Sequence, residues 1–251
     1  MANENKPSVS EKTHAKNNEN THIVNSIIAG LGALYNPNNA LITAAAMTEF
    51  ENNSNGFMQA VNAAVADEQS KVGKQMTEFK LVSSRVNKIM KAAAGQGVKP
   101  EFMANLRSTA NRLNGVRVNK STPDTSPVTS PPTDAKNASV SRRSYAGILE
   151  SLDLLDEQLK ANPDYDPNET EYKSVAVSAW VEDLRNTHNN ALDSKVATRN
   201  ARNARNAYIY SPETGIITRM NAVKAYAESI LDKTDPRFKQ LKKLRFVDYS
   251  K

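Results

Sequence analysis

The chain has 251 residues, 39% of them hydrophobic and only 6% aromatic, with a formal net charge of +6 and a mean hydropathy of -0.61. With no cysteine, disulfides, thiolate metal sites and cysteine nucleophiles are excluded. No run of about 18 apolar residues occurs, so no membrane insertion is expected, and the polar start from Met1 to Asn20 has no signal-peptide core, which points to a cytoplasmic protein.

In chain order, residues 1–20 mix Lys, Glu, Asn and Ser with almost nothing apolar and read as a disordered tail. Residues 21–117 read as a first helical module. It holds a helix at Ile23–Leu34, a Tyr35-Asn-Pro-Asn turn with an N-cap at Asn38, and a long helix. Shorter helices follow at Ser83–Ala94 and Pro100–Leu113. The long helix rests on apolar residues three or four apart, from Ile42, Ala45 and Phe50 to Val72, Met76 and Phe79, the mark of one buried face. Residues 118–141 crowd Pro, Ser and Thr with few large side chains; such a stretch cannot offset its ordering entropy by burial and reads as a flexible linker.

Residues 142–247 repeat the plan, with helices at Tyr145–Leu159, from an N-cap at Asn168 to Tyr208, at Gly215–Leu231 and at Asp235–Leu244. Residues 248–251 read as a frayed end. The expected fold is all-α: two tandem bundles of three or four helices, one of them long, joined by the linker. Gly73 and Asn189–Asn190 are the places where the long helices would kink.

The two modules are related. Tyr35, Pro37, Asn38 and Phe50 fall on Tyr165, Pro167, Asn168 and Trp180 at one constant offset, and Arg85–Ala92 matches Arg219–Tyr226 after a short insertion. Landmarks kept in order indicate an internal duplication. With Asn36–Asn39, the series Tyr165-Asp-Pro-Asn, Asn203–Tyr208, Gly215 and Phe238–Phe246 resembles a group of tandem helical-module proteins from Bacteroidetes bacteria. The resemblance implies a fold and a bacterial origin; it assigns no activity and no functional residue.

Little in the sequence points to chemistry. His14 falls in the tail, His22 before the first helix, and His188 among polar residues on a solvated face; they have no metal-ligand spacing. Gly95-Gln-Gly97 follows a helix instead of opening one, so it reads as a C-cap and not a phosphate loop. The carboxylates Asp153, Asp156–Glu157 and Glu182–Asp183 read as solvated. No cofactor or metal is expected, and the chain is expected not to be an enzyme.

The sharpest feature is Arg199, Arg202 and Arg205, extended by Lys195. A period of three drifts about 60° per step on a 3.6-residue helix, which makes a slanting stripe suited to a polyanion. Against that stands the charge layout. Residues 148–183 hold ten acids against Lys160 and Lys173, and residues 195–251 hold thirteen basic residues against five acids. Antiparallel packing would set the stripe against the acids from Asp153 to Asp183, and this internal pairing is the favoured expectation.

The sequence therefore suggests a non-enzymatic structural or protein-interaction protein, with two similar modules tethered flexibly and a protein partner or self-association. The alternatives are a nucleic-acid-associated protein using the basic C-terminal parts, and a small-ligand carrier or enzyme with an inter-helix site.

Overall fold

The computed structural model describes residues 9–115 and 144–250, and the side chains from residue 13 on. The expected linker, 118–141, lies outside the described residues. Among these the protein is all-α. The helices are α1 (Val9–Leu31), α2 (Ala44–Lys80), α3 (Val82–Gly95), α4 (Pro100–Asn114), α5 (Tyr145–Lys160), α6 (Ser174–Ile209), α7 (Ile216–Ile230) and α8 (Pro236–Lys243). The 37 residues of α2 and 36 of α6 pass through Gly73 and Asn189–Asn190 without interruption. Both sites are tolerated because one Gly or two Asn cost less than about 1 kcal/mol each in a helix held by packing.

Local chemistry sets the ends. Asn39, one residue beyond the expected cap, accepts a hydrogen bond from Leu41 N and opens a short 3-10 helix, Ala40–Ile42. Thr170–Tyr172 forms its counterpart before α6. Ser144 caps α5 through Gly147 N, and Asp235 caps α8 ahead of Pro236. Gly97 takes φ +69° just past α3, in the left-handed region where glycine carries no Cβ penalty. Gly215, before α7, has another reason. A Cβ there would lie 2.6 Å from Ser211 N and 2.7 Å from Ile209 O.

The chain forms two compact units, and they do not follow the expected modules 21–117 and 142–247. Among the described residues, unit 1 takes those up to Glu68 together with those from Ser194, and unit 2 takes those of Gln69–Asp193. Both crossings fall inside helices, one in α2 and one in α6. In unit 2, α4 packs on α3 and on α5. The stretch between α4 and α5 therefore joins two helices of one unit, where a tether between modules was expected. The reason is visible in the cores. That of unit 1 combines Val24, Ile28, Met47 and Phe50 with Ile209, Met220, Val223 and Phe238. That of unit 2 combines Val86, Ile89 and Leu106 with Leu152, Leu155, Val177 and Leu184. Each core needs residues from both halves of the chain.

The same contacts recur in both units. Tyr35 Oη donates to Ile42 O at 2.7 Å, and Tyr165 Oη to Tyr172 O at 2.6 Å. Burial pushes both phenols up to about 12. Arg219 lies 4.8 Å over the Phe50 ring and donates to Leu41 O; Arg85 lies 4.6 Å over Trp180 and donates to Glu171 O. Trp180, at the position that matches Phe50, is only half-buried, whereas Phe50 has, besides its arginine, the Tyr208 ring stacked on it at 5.4 Å.

Two terminal expectations are corrected. Residues 9–20, read as part of a tail, belong to α1, and His14, Asn17 and Asn20 are buried. The C-terminal segment is engaged as well: Asn17 Nδ2 donates to Val247 O at 2.7 Å, Asn20 Nδ2 to Arg245 O at 2.8 Å, and the Tyr249 ring meets His14 edge-on at 5.7 Å.

Candidate functional site

The basic stripe of α6 divides in the structure. Lys195, Arg199 and Arg202 are exposed, and Val196 among them is 57% exposed. Arg205 is 2% exposed and ranks among the largest fully buried side chains, so it cannot contact an external polyanion in this fold. The drift explains the split: each three-residue step rotates the side chain back by about 60°. A stripe that leaves the solvent face at Arg199 therefore reaches the buried face two steps later, beside Thr198 and Ile209.

The favoured internal pairing also takes another form. Asp153 and Glu182 pair with Arg185, Asp156 and Glu157 with Lys160, and Asp166 with Lys173. These acids are matched within unit 2 by near neighbours. Asp156, read as solvated, is 7% exposed and accepts from Ser178 Oγ at 2.6 Å.

Arg205 sits in a buried polar cluster of unit 1. Its Nη2 donates to His14 Nε2 at 2.9 Å and to Asn206 Oδ1 at 3.0 Å. A guanidinium has no acceptor, so His14 Nε2 carries the lone pair and the ring proton is on Nδ1. That proton is donated to Tyr210 Oη, 2.6 Å away. Asn17 Nδ2 donates to the same oxygen at 3.2 Å. Burial pushes the Tyr210 phenol up to about 12. Sequence reasoning placed His14 in a tail because its neighbours are polar. A signal was present, since His14, Asn17, Thr21, Val24, Ile28 and Leu31 follow one another by three or four residues. The apolar face of α1 continues towards the N-terminus as a polar one.

The other two histidines are also engaged. His188, read as part of a solvated face, is half-buried and accepts from Gln75 Nε2 at 2.6 Å in unit 2. His22 Nδ1 lies 2.8 Å from Glu51 Oε1, while Asn25 Nδ2 donates to Glu51 Oε2 at 2.6 Å. This pair lines a groove of about 460 Å³ between α1 and α2, with Asn18, Glu19, Asn55, Gln59 and Asn62 among the other lining residues. A carboxylate-held imidazole is one half of an acid–base apparatus. The amides and second carboxylate around it supply hydrogen bonds rather than a nucleophile. Among the described residues no group of three or more His, Asp or Glu is placed to hold a metal ion, and no helix is long and apolar enough to cross a membrane.

Comparison with protein-family models, curated proteins and solved structures finds no match for the chain.

Proposed function

We propose that the protein is a non-enzymatic protein-interaction module in which an internal duplication presents two like helical units to its partner. The observation that carries this reading is the recurrence of the Tyr turn and of the Arg-over-aromatic contact at matching positions of the two units. Arg219 from the second half serves Phe50 from the first, and Arg85 from the first half serves Trp180 from the second. Two copies that exchange their later helices would produce this pattern. A chain that offers one frame twice gains avidity when both frames engage.

The test is stoichiometric. A partner captured from the native host should bind at two copies per chain. Disrupting unit 2 alone with Leu152→Asp, at a position 0% exposed, should leave one copy bound. A fixed ratio of one partner per chain, unchanged by that substitution, would overturn the bivalent reading.

The exposed Lys195, Arg199 and Arg202 favour a second reading, contact with nucleic acid. Replacing all three by Gln should leave binding to a generic duplex DNA weak and unchanged if the first reading holds. Micromolar binding that falls steeply with salt and is lost in the triple variant would put nucleic acid first.

A further inference from the structure

The His14 cluster does more than fill space. His14 is 1% exposed, and both ring nitrogens are committed: Nε2 accepts from Arg205 on α6, and Nδ1–H donates to Tyr210 just past α6. From the C-terminal segment, the Tyr249 ring closes on the imidazole, and Asp248 acts on Tyr210 electrostatically. Among the described residues, the charged and titratable groups around the imidazole include Arg205, Tyr210, Tyr249 and Asp248. Only the neutral Nδ1–H tautomer satisfies this arrangement. A proton added at Nε2 would turn a donor towards the Arg205 donor 2.9 Å away and set two cations side by side inside the protein. Asp248 would offset part of that charge, but a carboxylate does not repair two donors facing each other across 2.9 Å.

We propose that this cluster is an acid-sensitive latch that docks the N-terminal part of α1 and the C-terminal segment onto the end of α6. Beside it, the N-terminal part of α1 meets the C-terminal segment and the end of α6 through polar bonds, Asn17 to Tyr210 and Val247 and Asn20 to Arg245, while Leu244 and Phe246 keep the base of the C-terminal segment on the unit 1 core. The apolar face of α1 begins only near Val24. Opening at His14 therefore frees about two turns of helix without dismantling the unit 1 core. The sign follows from proton count. The docked state holds His14 neutral, whereas an imidazole released into water takes up a proton near pH 6.5. Docking is therefore strongest above about that pH and weakens as pH falls below it. With one proton bound on release, the open population at pH 5 should exceed that at neutral pH on the order of 30-fold.

Hydrogen exchange on the full chain, corrected for the intrinsic pH dependence, tests the latch. Amides of residues 14–21 and 245–249 should lose protection by that order between pH 7.5 and 5, while those of α3 and α7 hold theirs. His14→Gln keeps an acceptor for Arg205 and a donor for Tyr210 but cannot titrate, so its protection should be flat with pH. Arg205→Gln removes the facing cation and offers an amide oxygen that a protonated ring can bond; it too should flatten the response, whether or not His14→Gln docks well. Equal protection of the wild-type segment at both pH values would overturn the proposal. So would a loss at pH 5 that persists in Arg205→Gln.

Discussion

Gln75 in unit 2 and Arg205 in unit 1 occupy matching places and are treated differently. They stand 130 residues apart, the offset that also relates Tyr35 to Tyr165, and each is 2% exposed. Gln75 is neutral and meets His188 of α6, a helix that unit 2 already contains. Arg205 is charged, and its histidine comes from the N-terminal part of α1, where the same offset puts Ser144, the cap ahead of α5, in the second half. α1 starts 26 residues before Tyr35, whereas α5 starts 20 before Tyr165. A buried amide is satisfied by one good partner. A buried guanidinium has five donors to place, and here an extra length of polar helix is laid over it. One frame thus accepts either plug, but the charged one recruits structure.

Several measurements would break or sharpen that comparison. The largest effect concerns the shared frame. Cleavage at a protease site inserted between Val118 and Ser141 should leave the two fragments bound to each other, since each core draws on both. Either fragment purified away from the other should lose cooperative unfolding in circular dichroism. Fragments that separate and stay folded would contradict the exchange of halves.

Next come the aromatic residues under the arginines. Phe50→Ala should cost about 3–5 kcal/mol in denaturant unfolding, as full burial implies, and Trp180→Ala about 2–3 kcal/mol because its ring is half-covered. Equal losses would mean that Arg85 shields Trp180 as well as a core does.

The plugs themselves should rank the same way. Arg205→Ala should lower stability by about 2–3 kcal/mol and Gln75→Ala by about 1–2 kcal/mol, as expected when charged and neutral hydrogen bonds are lost with partners left buried. A larger loss for Gln75 would show that the extension of α1 satisfies Arg205 poorly.

The smallest effect should be identical in the two units. Tyr35→Phe and Tyr165→Phe each remove one hydroxyl bond worth about 1 kcal/mol. Both phenols are pushed up to about 12 by burial, with Tyr226 adding to the shift at Tyr35. A free phenol ionises near pH 10. Their contribution is therefore complete below about pH 10 and is lost as pH rises towards 12. Melting temperatures followed through that range should fall less steeply in either variant.

The helices were legible because their signals are local. Pro100, Asp235-Pro236 and Ser144 mark starts, and the three–four spacing of apolar residues marks the faces. Which helices meet was not legible. Phe50 carries no sign that it will pack with Ile209 and Met220 rather than with Val86 and Ile89, since both sets are equally apolar and similar landmarks accompany both. The site suffered from a related limit. The arginine period was read correctly, but where a drifting stripe enters the core depends on what lies across from it. At Arg205 that was a stretch whose Asn, Lys and Glu content hid a docking face.

The division of the chain also has a consequence for synthesis. The segment up to Glu68 emerges first, yet Ile209, Met220 and Phe238, which complete its core, come after Asp193. Unit 2, by contrast, is whole as soon as Asp193 has been added. The 125 residues of Gln69–Asp193 take roughly 6–25 s to make at about 5–20 residues per second. For that interval Val24, Ile28 and Phe50 wait on the ribosome without their partners. Of the two units, the one that starts to emerge first is thus completed last, and in that window a nascent chain on a neighbouring ribosome offers the same apolar face.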